Sequence, residues 1–406
     1  MNIILTRQCS NSCPYCFAAP DRHLVCKPGH PEAVETMTVE RARVIGKWLA
    51  SEQPARLNLI GGEPFLNRDL VQIVSVFRQL CPDSKLTLFT GGLVKLSLLS
   101  SLQREDVGIL VNVNEERDYL SSAAFDHVMS FIDRAISAGF QLGLGFNVWR
   151  MDFDPNFMPR LAHKVGRQGF RWTVANPSLG GTSCVVSPAD FPRLSKRCTL
   201  MLRAAAEFEL SPNLDCPLPV CFFDDEDLAW IARFHPNVVA NFGSCSAPID
   251  ITPELHAMRC FSLSSLSRTP IKDHPSVGSV REWFREHLDH NLLSVHGIFG
   301  ECINCTHYKT ARCQGGCLAW RDVSQAAPES LAKRLYKLIE EGKDQQAITE
   351  LEASSVWRQT TVALYLGALA ARKLGERERM RRFASAALRD SSDAALKKRI
   401  FALLAN

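Results

Sequence analysis

Residues 3–16 read IILTRQCSNSCPYC and decide the fold. The apolar run at the start predicts a short buried strand, and Cys9, Cys13 and Cys16 follow it with the spacing C-x3-C-x2-C. Three thiolates on a loop leaving a strand can hold three irons of a cubane [4Fe-4S] cluster, with the fourth iron open to an outside ligand. Zinc is the alternative, although structural zinc takes four ligands and no histidine lies within a few residues.

The first half of the chain alternates short strand patterns with amphipathic helix patterns, which is typical of a parallel α/β fold. Helices that start after the N-caps Thr38 and Asp69 are part of the pattern. Six such units predict a partial (β/α)6 barrel resembling a TIM barrel. The predicted strands are 3–6, 57–60, 86–90, 108–113, 142–148 and 171–175, and the predicted helices are 39–50, 70–80, 123–138 and 157–165.

Composition excludes several classes of protein. The chain has 406 residues, is 46% hydrophobic and 22% charged, and carries a formal net charge of +4, so it predicts a folded protein with no case for nucleic-acid binding. No apolar run is long enough for a membrane helix, and the first residues lack the features of a signal peptide. We therefore expect a cytoplasmic protein with no membrane partner and no domain before Met1.

The chain has 15 cysteines, and a reducing cytosol with an odd count favours metal ligation over disulfides. Apart from the first loop, one group of cysteines stands out by its spacing, and Cys216 and Cys221 precede it. Strong periodicity is lost from residue 241 to 320, so we expect this segment to owe its order to metal. The group comprises Cys245, Cys260, Cys302, Cys305, Cys313 and Cys317.

The end of the chain has a different composition, rich in Leu, Ala, Lys, Arg and Glu at helical spacing. Its pattern predicts four or five helices that resemble a tetratricopeptide (TPR) helix pair of about 34 residues. Basic and acidic residues are interleaved there, as on a solvated helix face. We expect three domains: a barrel over 1–200, a cysteine-rich domain over 201–325, and an all-helical TPR-like domain over 326–406.

The cysteine loop, with Tyr15 before its last cysteine, resembles the signature of the radical S-adenosylmethionine superfamily. A second element agrees, because Gly61, Gly62, Glu63 and Pro64 follow the predicted strand 57–60 and resemble that superfamily's methionine-binding GGEP segment. The resemblance implies S-adenosylmethionine and a [4Fe-4S] cluster as cofactors. Glycines allow close backbone approach, and the carbonyls with Glu63 can accept hydrogen bonds from the methionine ammonium. Tyr15 would pack near the adenine.

Polar residues at the ends of the other predicted strands are further candidates for this site. Asn114 and Asn147 in particular, with Thr90 and Asn112, could bind the ribose or carboxylate of the cofactor. Asn and Thr at strand ends also commonly satisfy backbone groups, so a purely structural role is the alternative for each. No catalytic side chain is identified from the sequence.

The second cysteine group resembles the SPASM extension, which binds auxiliary [4Fe-4S] clusters in radical enzymes that act largely on peptides. The chain departs from that pattern, since the gap before Cys313 is long and no cysteine follows Cys317. The resemblance implies one or two auxiliary clusters. Cys245, Cys260 and Cys317 would share one with Cys221 or Cys216, and Cys302, Cys305 and Cys313 would hold the other with an open or non-cysteine position.

A single zinc knuckle is the alternative for the last four cysteines, whose C-x2-C and C-x3-C pairs suit tetrahedral zinc. Iron-sulfur is favoured because the chain begins with a radical-cluster loop.

Three functions follow as hypotheses. The first is a radical enzyme that modifies a ribosomally made precursor peptide or a protein side chain by crosslinking, thioether formation, epimerisation or oxidation, with a flavodoxin- or ferredoxin-type reductant. The second is a radical dehydrogenase or lyase acting on a small sugar or metabolite. The third is a non-catalytic scaffold with iron-sulfur or zinc; the GGEP segment argues against it, because a scaffold needs no methionine site.

Overall fold

The computed structural model contains one sheet of ten strands. It describes residues 1–18, 36–177, 185–246, 248–264, 266–289, 298–299, 302, 304–320, 328–353, 361–390 and 394–405. The strands are β1 Asn2–Thr6, β2 Arg56–Gly61, β3 Lys85–Thr90, β4 Gly108–Asn112, β5 Leu142–Val148, β6 Arg171–Val174, β7 Asn213–Leu214, β8 Asp250–Ile251, β9 His256–Met258 and β10 Arg268–Pro270.

Strands β1 to β7 lie side by side in chain order and all pairs are parallel. The α/β class and all six predicted strands are thereby confirmed. Strand β8 joins the other edge of β1 in parallel, and β9 and β10 continue that side as antiparallel strands. Because all parallel strands point the same way, the loops after β1, β2, β3, β4 and β5 emerge at one edge of the sheet.

Helices connect the parallel strands: α1 Val39–Leu49, α2 Leu70–Leu80, α3 Ser122–Ser137, α4 Phe157–Lys164 and α5 Phe191–Glu207. The four predicted helices correspond to α1 to α4. Thr38 caps α1 as predicted, since its side chain accepts a hydrogen bond from the Arg41 amide. Asp69 is the N-cap residue of α2, as predicted, but its side chain makes no capping hydrogen bond.

The cysteine-rich segment has more secondary structure than its sequence indicates. It contains β8 to β10, and the helices α6 Asp225–Phe234, α7 Pro236–Val239, α8 Val277–Phe284 and α9 Thr306–Lys309 lie in or just before it. Ile249, Ile251, Met258, Leu263 and Phe284 are buried. The expectation that metal alone orders this segment was therefore wrong, because an apolar core and sheet pairing with β1 also contribute.

Two compact units divide the chain. The first contains Met1–His287 and Glu301–Trp320, and the second contains Leu288–Gly300 and Arg321–Asn406. The predicted boundary near residue 200 falls inside the first unit, and the one near 325 lies outside the described residues. In the described part of the chain, no helix is long and apolar enough to cross a membrane.

Within its described residues, the second unit has five helices around a core of its own that includes Leu335, Leu351, Leu364 and Phe383. Gly367 lets two of these helices pack closely, since a Cβ there would lie 2.1 Å from a methyl carbon of Leu351. The helices are α10 Pro328–Glu340, α11 Asp344–Ala353, α12 Thr361–Lys373, α13 Arg377–Asp390 and α14 Ala394–Ala405.

Candidate functional site

The three cysteines of the first loop lie at the carboxyl edge of the sheet, directly after β1. The Cys16 amide donates to the Cys13 carbonyl at 3.1 Å, and the Asn11 amide approaches the Cys9 sulfur at 3.4 Å. Burial first, and then the thiols of Cys16 and Cys9, raise the pKa of Cys13 to about 11. The three thiols thus share one small space, and each must lose its proton to bind iron.

These thiols fit the demands of a cubane cluster with an open iron, because all three come from one loop that follows β1. Among the residues that the structure describes, no group of three or more Cys, His, Asp or Glu is arranged to bind a single metal ion. A cubane makes a different demand, since each cysteine binds its own iron. Cys9, Cys13 and Cys16 would hold such a cluster here.

The GGEP segment lies next to this loop because β2 pairs with β1. The amide of Gly62 donates to the Thr6 carbonyl at 2.7 Å, and the amide of Glu63 donates to the Gln8 carbonyl at 2.6 Å. A Cβ on Gly62 would lie 2.1 Å from the Gln8 oxygen. Glycine is therefore required at this position for the two strand ends to approach each other.

Gly61 is constrained in the same way. Its φ is +154°, and a Cβ there would lie 2.3 Å from the Thr6 carbonyl oxygen. Pro64 starts the short 3-10 turn Pro64–Leu66 that follows. The glycines thus serve first to join the cysteine loop to β2. Among the hydrogen bonds described, the Gly62 carbonyl accepts none, so this oxygen is available to a ligand.

Glu63 is buried, and its carboxylate is already bonded by the chain. The Thr90 hydroxyl donates to both carboxylate oxygens at 2.9 Å, the Gly91 amide donates at 3.0 Å, and the Phe65 amide donates at 3.3 Å. Burial nevertheless raises the pKa of Glu63 to about 7. Glu63 and Thr90 therefore tie the end of β3 to the GGEP segment.

Tyr15, Asn114 and Asn147 meet beside the cysteine loop. The Tyr15 hydroxyl donates to Asn114 Oδ1 at 2.5 Å, and Asn147 also hydrogen-bonds the Tyr15 side chain. The Tyr15 ring centroid lies 6.0 Å from that of Trp149. Burial is the main cause of a raised pKa at Tyr15. Residues at or near the carboxyl ends of β4 and β5 are thus joined to the loop after β1.

Buried Arg7 and partly buried Glu254 form an ion pair that no local sequence pattern indicates. Arg7 donates through both terminal nitrogens to the two carboxylate oxygens of Glu254, at 2.7 and 3.0 Å. Burial opposes ionisation of Glu254, but the contacts with Arg7, together with hydrogen bonds from Thr252 and the Glu254 backbone, outweigh it and lower the pKa of Glu254. This pair fastens the start of the cysteine loop to the segment between β8 and β9.

A second group that sequence reasoning missed lies next to Asn114. Buried Glu115 accepts hydrogen bonds from Arg150 at 2.5 Å, from Arg117 at 2.8 Å and from the Asp154 amide. Glu115 and Arg117 also line a cavity of about 510 Å³. The cavity therefore opens one residue away from the Asn114 that contacts the cysteine loop.

The later cysteines fall into two sets in the structure. The thiols of Cys216, Cys245, Cys260 and Cys317 all influence one another electrostatically, and burial is the largest cause of the raised pKa of Cys260, about 12. The second set is formed by Cys221, Cys302, Cys305 and Cys313, because the thiol of Cys221 faces the other three.

This division separates residues that the zinc alternative needs together. A zinc knuckle would use Cys302, Cys305, Cys313 and Cys317, but Cys317 interacts with the thiols of the other set. Each set contains four cysteines, which is the number that a fully ligated [4Fe-4S] cluster takes. All thirteen cysteines that the structure describes are free of disulfides.

The first part of the chain is similar in sequence to known proteins. Residues 2–122 match the family described as the 4Fe-4S single cluster domain. The chain is 29% identical over 150 residues to molybdenum cofactor biosynthesis protein 1 of Drosophila melanogaster. The aligned region covers 35% of this chain and 25% of that protein. It is 26% identical over 148 residues to GTP 3′,8-cyclase of Paenarthrobacter nicotinovorans, covering 34% and 39% respectively. The matches therefore span well under half of these relatives.

Solved structures share the fold over more of the chain. Streptococcus suis SuiB bound to S-adenosylmethionine has a TM-score of 0.54 at 14% identity, covering 81% of this chain and 74% of that one. The structure of anSMEcpe with AdoMet and the Kp18Cys peptide has a TM-score of 0.52 at 16% identity, covering 78% and 88%. The cluster-domain match and the shared fold agree with the resemblance of the cysteine loop and the GGEP segment to the radical S-adenosylmethionine superfamily.

Proposed function

We propose that the chain cleaves S-adenosylmethionine reductively and uses the resulting radical to abstract hydrogen from a peptide or protein side chain. The observation that carries this is the joining of the three-cysteine loop to the glycine turn by the Gly62 and Glu63 amide bonds. A [4Fe-4S] cluster bound there supplies the electron that splits S-adenosylmethionine into methionine and a 5′-deoxyadenosyl radical.

The chain's own residues would place the cofactor. Cys9, Cys13 and Cys16 hold the cluster, and the Gly62 carbonyl accepts a hydrogen bond from the methionine ammonium. Tyr15 lies where the cysteine loop meets Asn114 and Asn147, so these three side chains are proposed to contact the adenosine half. The carboxylate of Glu63 acts mainly by fixing the end of β3, because its oxygens are already bonded to the chain. The sheet that carries them is proposed to curve as a partial barrel.

A peptide substrate is supported by two structures that share the fold. One is SuiB bound to the precursor peptide SuiA, with a TM-score of 0.53, and the other is the anSMEcpe complex with the Kp18Cys peptide. The cavity beside Glu115 opens next to the proposed cofactor site, and its carboxylate and guanidinium groups suit a polar chain. The external reductant is proposed to be of flavodoxin or ferredoxin type.

We propose in addition that the helical unit is a TPR-like module that docks the peptide. The pairs α10–α11 and α12–α13 begin at Pro328 and Thr361 and turn at Gly342 and Gly375, a repeat of about 33 residues, close to the TPR period. Tyr336 and Phe401 expose 53% and 58% of their surface on this unit. Grooves between such helix pairs bind peptides.

The experiment that tests this function is coexpression of the chain with each short reading frame flanking its gene, followed by mass spectrometry. We expect one encoded peptide to change in mass with the wild-type chain and to stay unchanged with the Cys9, Cys13 and Cys16 triple alanine variant. Turnover of a sugar or nucleotide by wild-type protein, with every peptide unmodified, would contradict the peptide proposal and favour the dehydrogenase or lyase alternative.

A further inference from the structure

Cys221 lies at one end of a short segment that runs between the two sets of later cysteines. The segment starts at Cys216, two residues after the end of β7, and ends in the 3-10 turn Val220–Phe222, where the Phe222 amide donates to the Pro219 carbonyl at 2.9 Å. The thiols at the two ends face different partners. Cys216 interacts electrostatically with Cys245, Cys260 and Cys317, whereas Cys221 interacts with Cys313, Cys302 and Cys305.

Backbone hydrogen bonds fix this segment against both groups. The Cys317 amide donates to the Pro217 carbonyl at 2.9 Å, and the Gly243 amide donates to the Leu218 carbonyl at 2.8 Å. The Gly243 carbonyl in turn accepts from the amides of Gln314 and Gly316 at 2.7 and 2.9 Å. Residues 217 and 218 are therefore held between the stretch before Cys245 and the stretch from Cys313 to Cys317.

Close packing leaves this arrangement little freedom. A Cβ on Gly316 would lie 2.7 Å from the Leu218 carbonyl carbon, and one on Gly243 would lie 2.4 Å from the Arg312 carbonyl oxygen. On the other side of Cys221, the buried ring of Phe222 packs against the ring of Phe191, with 5.1 Å between the ring centroids. Cys221 itself is exposed, so its backbone is anchored on both sides while its thiol remains free to bind.

We propose that Cys221 is the fourth ligand of a second auxiliary [4Fe-4S] cluster, together with Cys302, Cys305 and Cys313, and that Cys216 completes the first auxiliary cluster. This inference rests on the proposed function. No cysteine follows Cys317 to be the fourth ligand of this second cluster. Cys221, which precedes the cysteine-rich segment 241–320, would supply that ligand instead. Each thiol loses one proton as its sulfur binds iron.

Complete ligation has a chemical consequence. When every iron carries a cysteine sulfur, no iron is open to a substrate or to S-adenosylmethionine. Both auxiliary clusters would then transfer electrons only, and the open iron of the first loop would be the one that binds the cofactor. The alternative from the sequence is a cluster held by Cys302, Cys305 and Cys313 alone, with one iron that has no cysteine ligand. A substrate could then bind that iron directly.

The test uses the full chain, reconstituted anaerobically, with Cys9, Cys13 and Cys16 changed to alanine so that the later cysteines alone bind iron. We expect about eight irons and eight sulfides per chain, since each cubane holds about four irons. Three cysteines still hold a cubane with one open iron, so the cluster that loses a ligand in Cys216→Ala or Cys221→Ala should gain an iron that binds cyanide. Added cyanide should therefore shift the EPR spectrum of the reduced protein in each of these two variants and leave that of their parent unchanged, whereas a cyanide shift already present in the parent would overturn the inference. Cys81→Ala, a buried cysteine outside both sets, is the matched control and should leave about eight irons, two cubanes' worth.

A second measurement needs no variant and reads no activity. In wild-type protein, iodoacetamide should alkylate exposed Cys221 in the metal-free chain and react at least tenfold more slowly after reconstitution. A fully loaded protein in which Cys221 is alkylated as fast as in the metal-free chain would overturn the inference. Stoichiometric zinc without sulfide would also overturn it. If wild-type protein with both auxiliary clusters bound did not cleave S-adenosylmethionine, that result would instead contradict the proposed function.

Discussion

The carboxyl group of Glu63 is closely held by hydrogen bonds at the proposed cofactor site. It is buried under four hydrogen bonds from Thr90, Gly91 and Phe65, yet burial raises its pKa from 4.5 to about 7. Between pH 4.5 and 7 the native chain keeps a proton that the unfolded chain has released. The contribution of Glu63 to the free energy of unfolding should therefore fall as the pH rises through this range and stay constant above it.

Replacing Glu63 with Gln should remove this dependence. Each unit of pKa shift corresponds to about 1.4 kcal/mol, so the loss of unfolding free energy between pH 5 and 7.5 should shrink by about 2 kcal/mol in Glu63→Gln. Urea denaturation of the metal-free chain at both pH values measures this. Glu105→Gln, at a fully exposed position, should keep the wild-type difference. An unchanged difference in Glu63→Gln would show that the native carboxyl is ionised throughout.

A second prediction at the scale of single residues concerns Gly62. A methyl group at Gly62 would lie 2.1 Å from the Gln8 oxygen, so Gly62→Ala must separate β2 from the cysteine loop. We expect S-adenosylmethionine binding to fall at least tenfold, measured by equilibrium dialysis under anaerobic conditions. Gly278→Ala, where the nearest atom is the Ser276 hydroxyl oxygen at 3.5 Å, should bind as wild type. Equal binding by Gly62→Ala would contradict the close approach.

At the scale of elements, the Arg7–Glu254 pair joins the loop after β1 to the loop before β9. Removing one partner of a largely buried ion pair leaves the other charge without its counter-charge and costs about 3–5 kcal/mol. Arg7→Met should therefore lower the unfolding free energy by about 3 kcal/mol. The exposed pair of Arg285 with Glu282 is the control, and Arg285→Met should cost under about 1 kcal/mol. Equal losses in the two variants would show that the Arg7 pair is no stronger than a surface pair.

The sequence predicted β1 to β6 and their order of appearance because apolar periodicity and turn residues are local signals. It also predicted the cysteine loop and the GGEP segment, whose spacing lies within a few residues. The Arg7–Glu254 pair is 247 residues apart in the chain, and no local pattern indicates it. The same limit applies to Cys216 and Cys221, since which set each joins depends on how residues 217 and 218 pack against Gly243 and Gly316.

At the scale of the whole molecule, the chain combines a unit that carries all the described cysteines with a helical unit that carries none. If the helical unit docks the peptide, Tyr336→Ala combined with Phe401→Ala should raise KM for the modified peptide at least fivefold. Cleavage of S-adenosylmethionine without peptide should stay unchanged, because the radical site lies in the other unit. Phe234→Ala, an exposed aromatic residue of the first unit, is the control. An unchanged KM would restrict the helices to a stabilising role.

The most direct test of the central claim is the amount of 5′-deoxyadenosine formed from S-adenosylmethionine by anaerobically reconstituted protein with a strong reductant. Wild-type protein should form it, because three cysteines leave one iron open to the cofactor. The triple variant of Cys9, Cys13 and Cys16 to alanine should form none, although it retains the later cysteines and their iron. Formation of 5′-deoxyadenosine by the triple variant at the wild-type rate would contradict the assignment of this loop as the radical site.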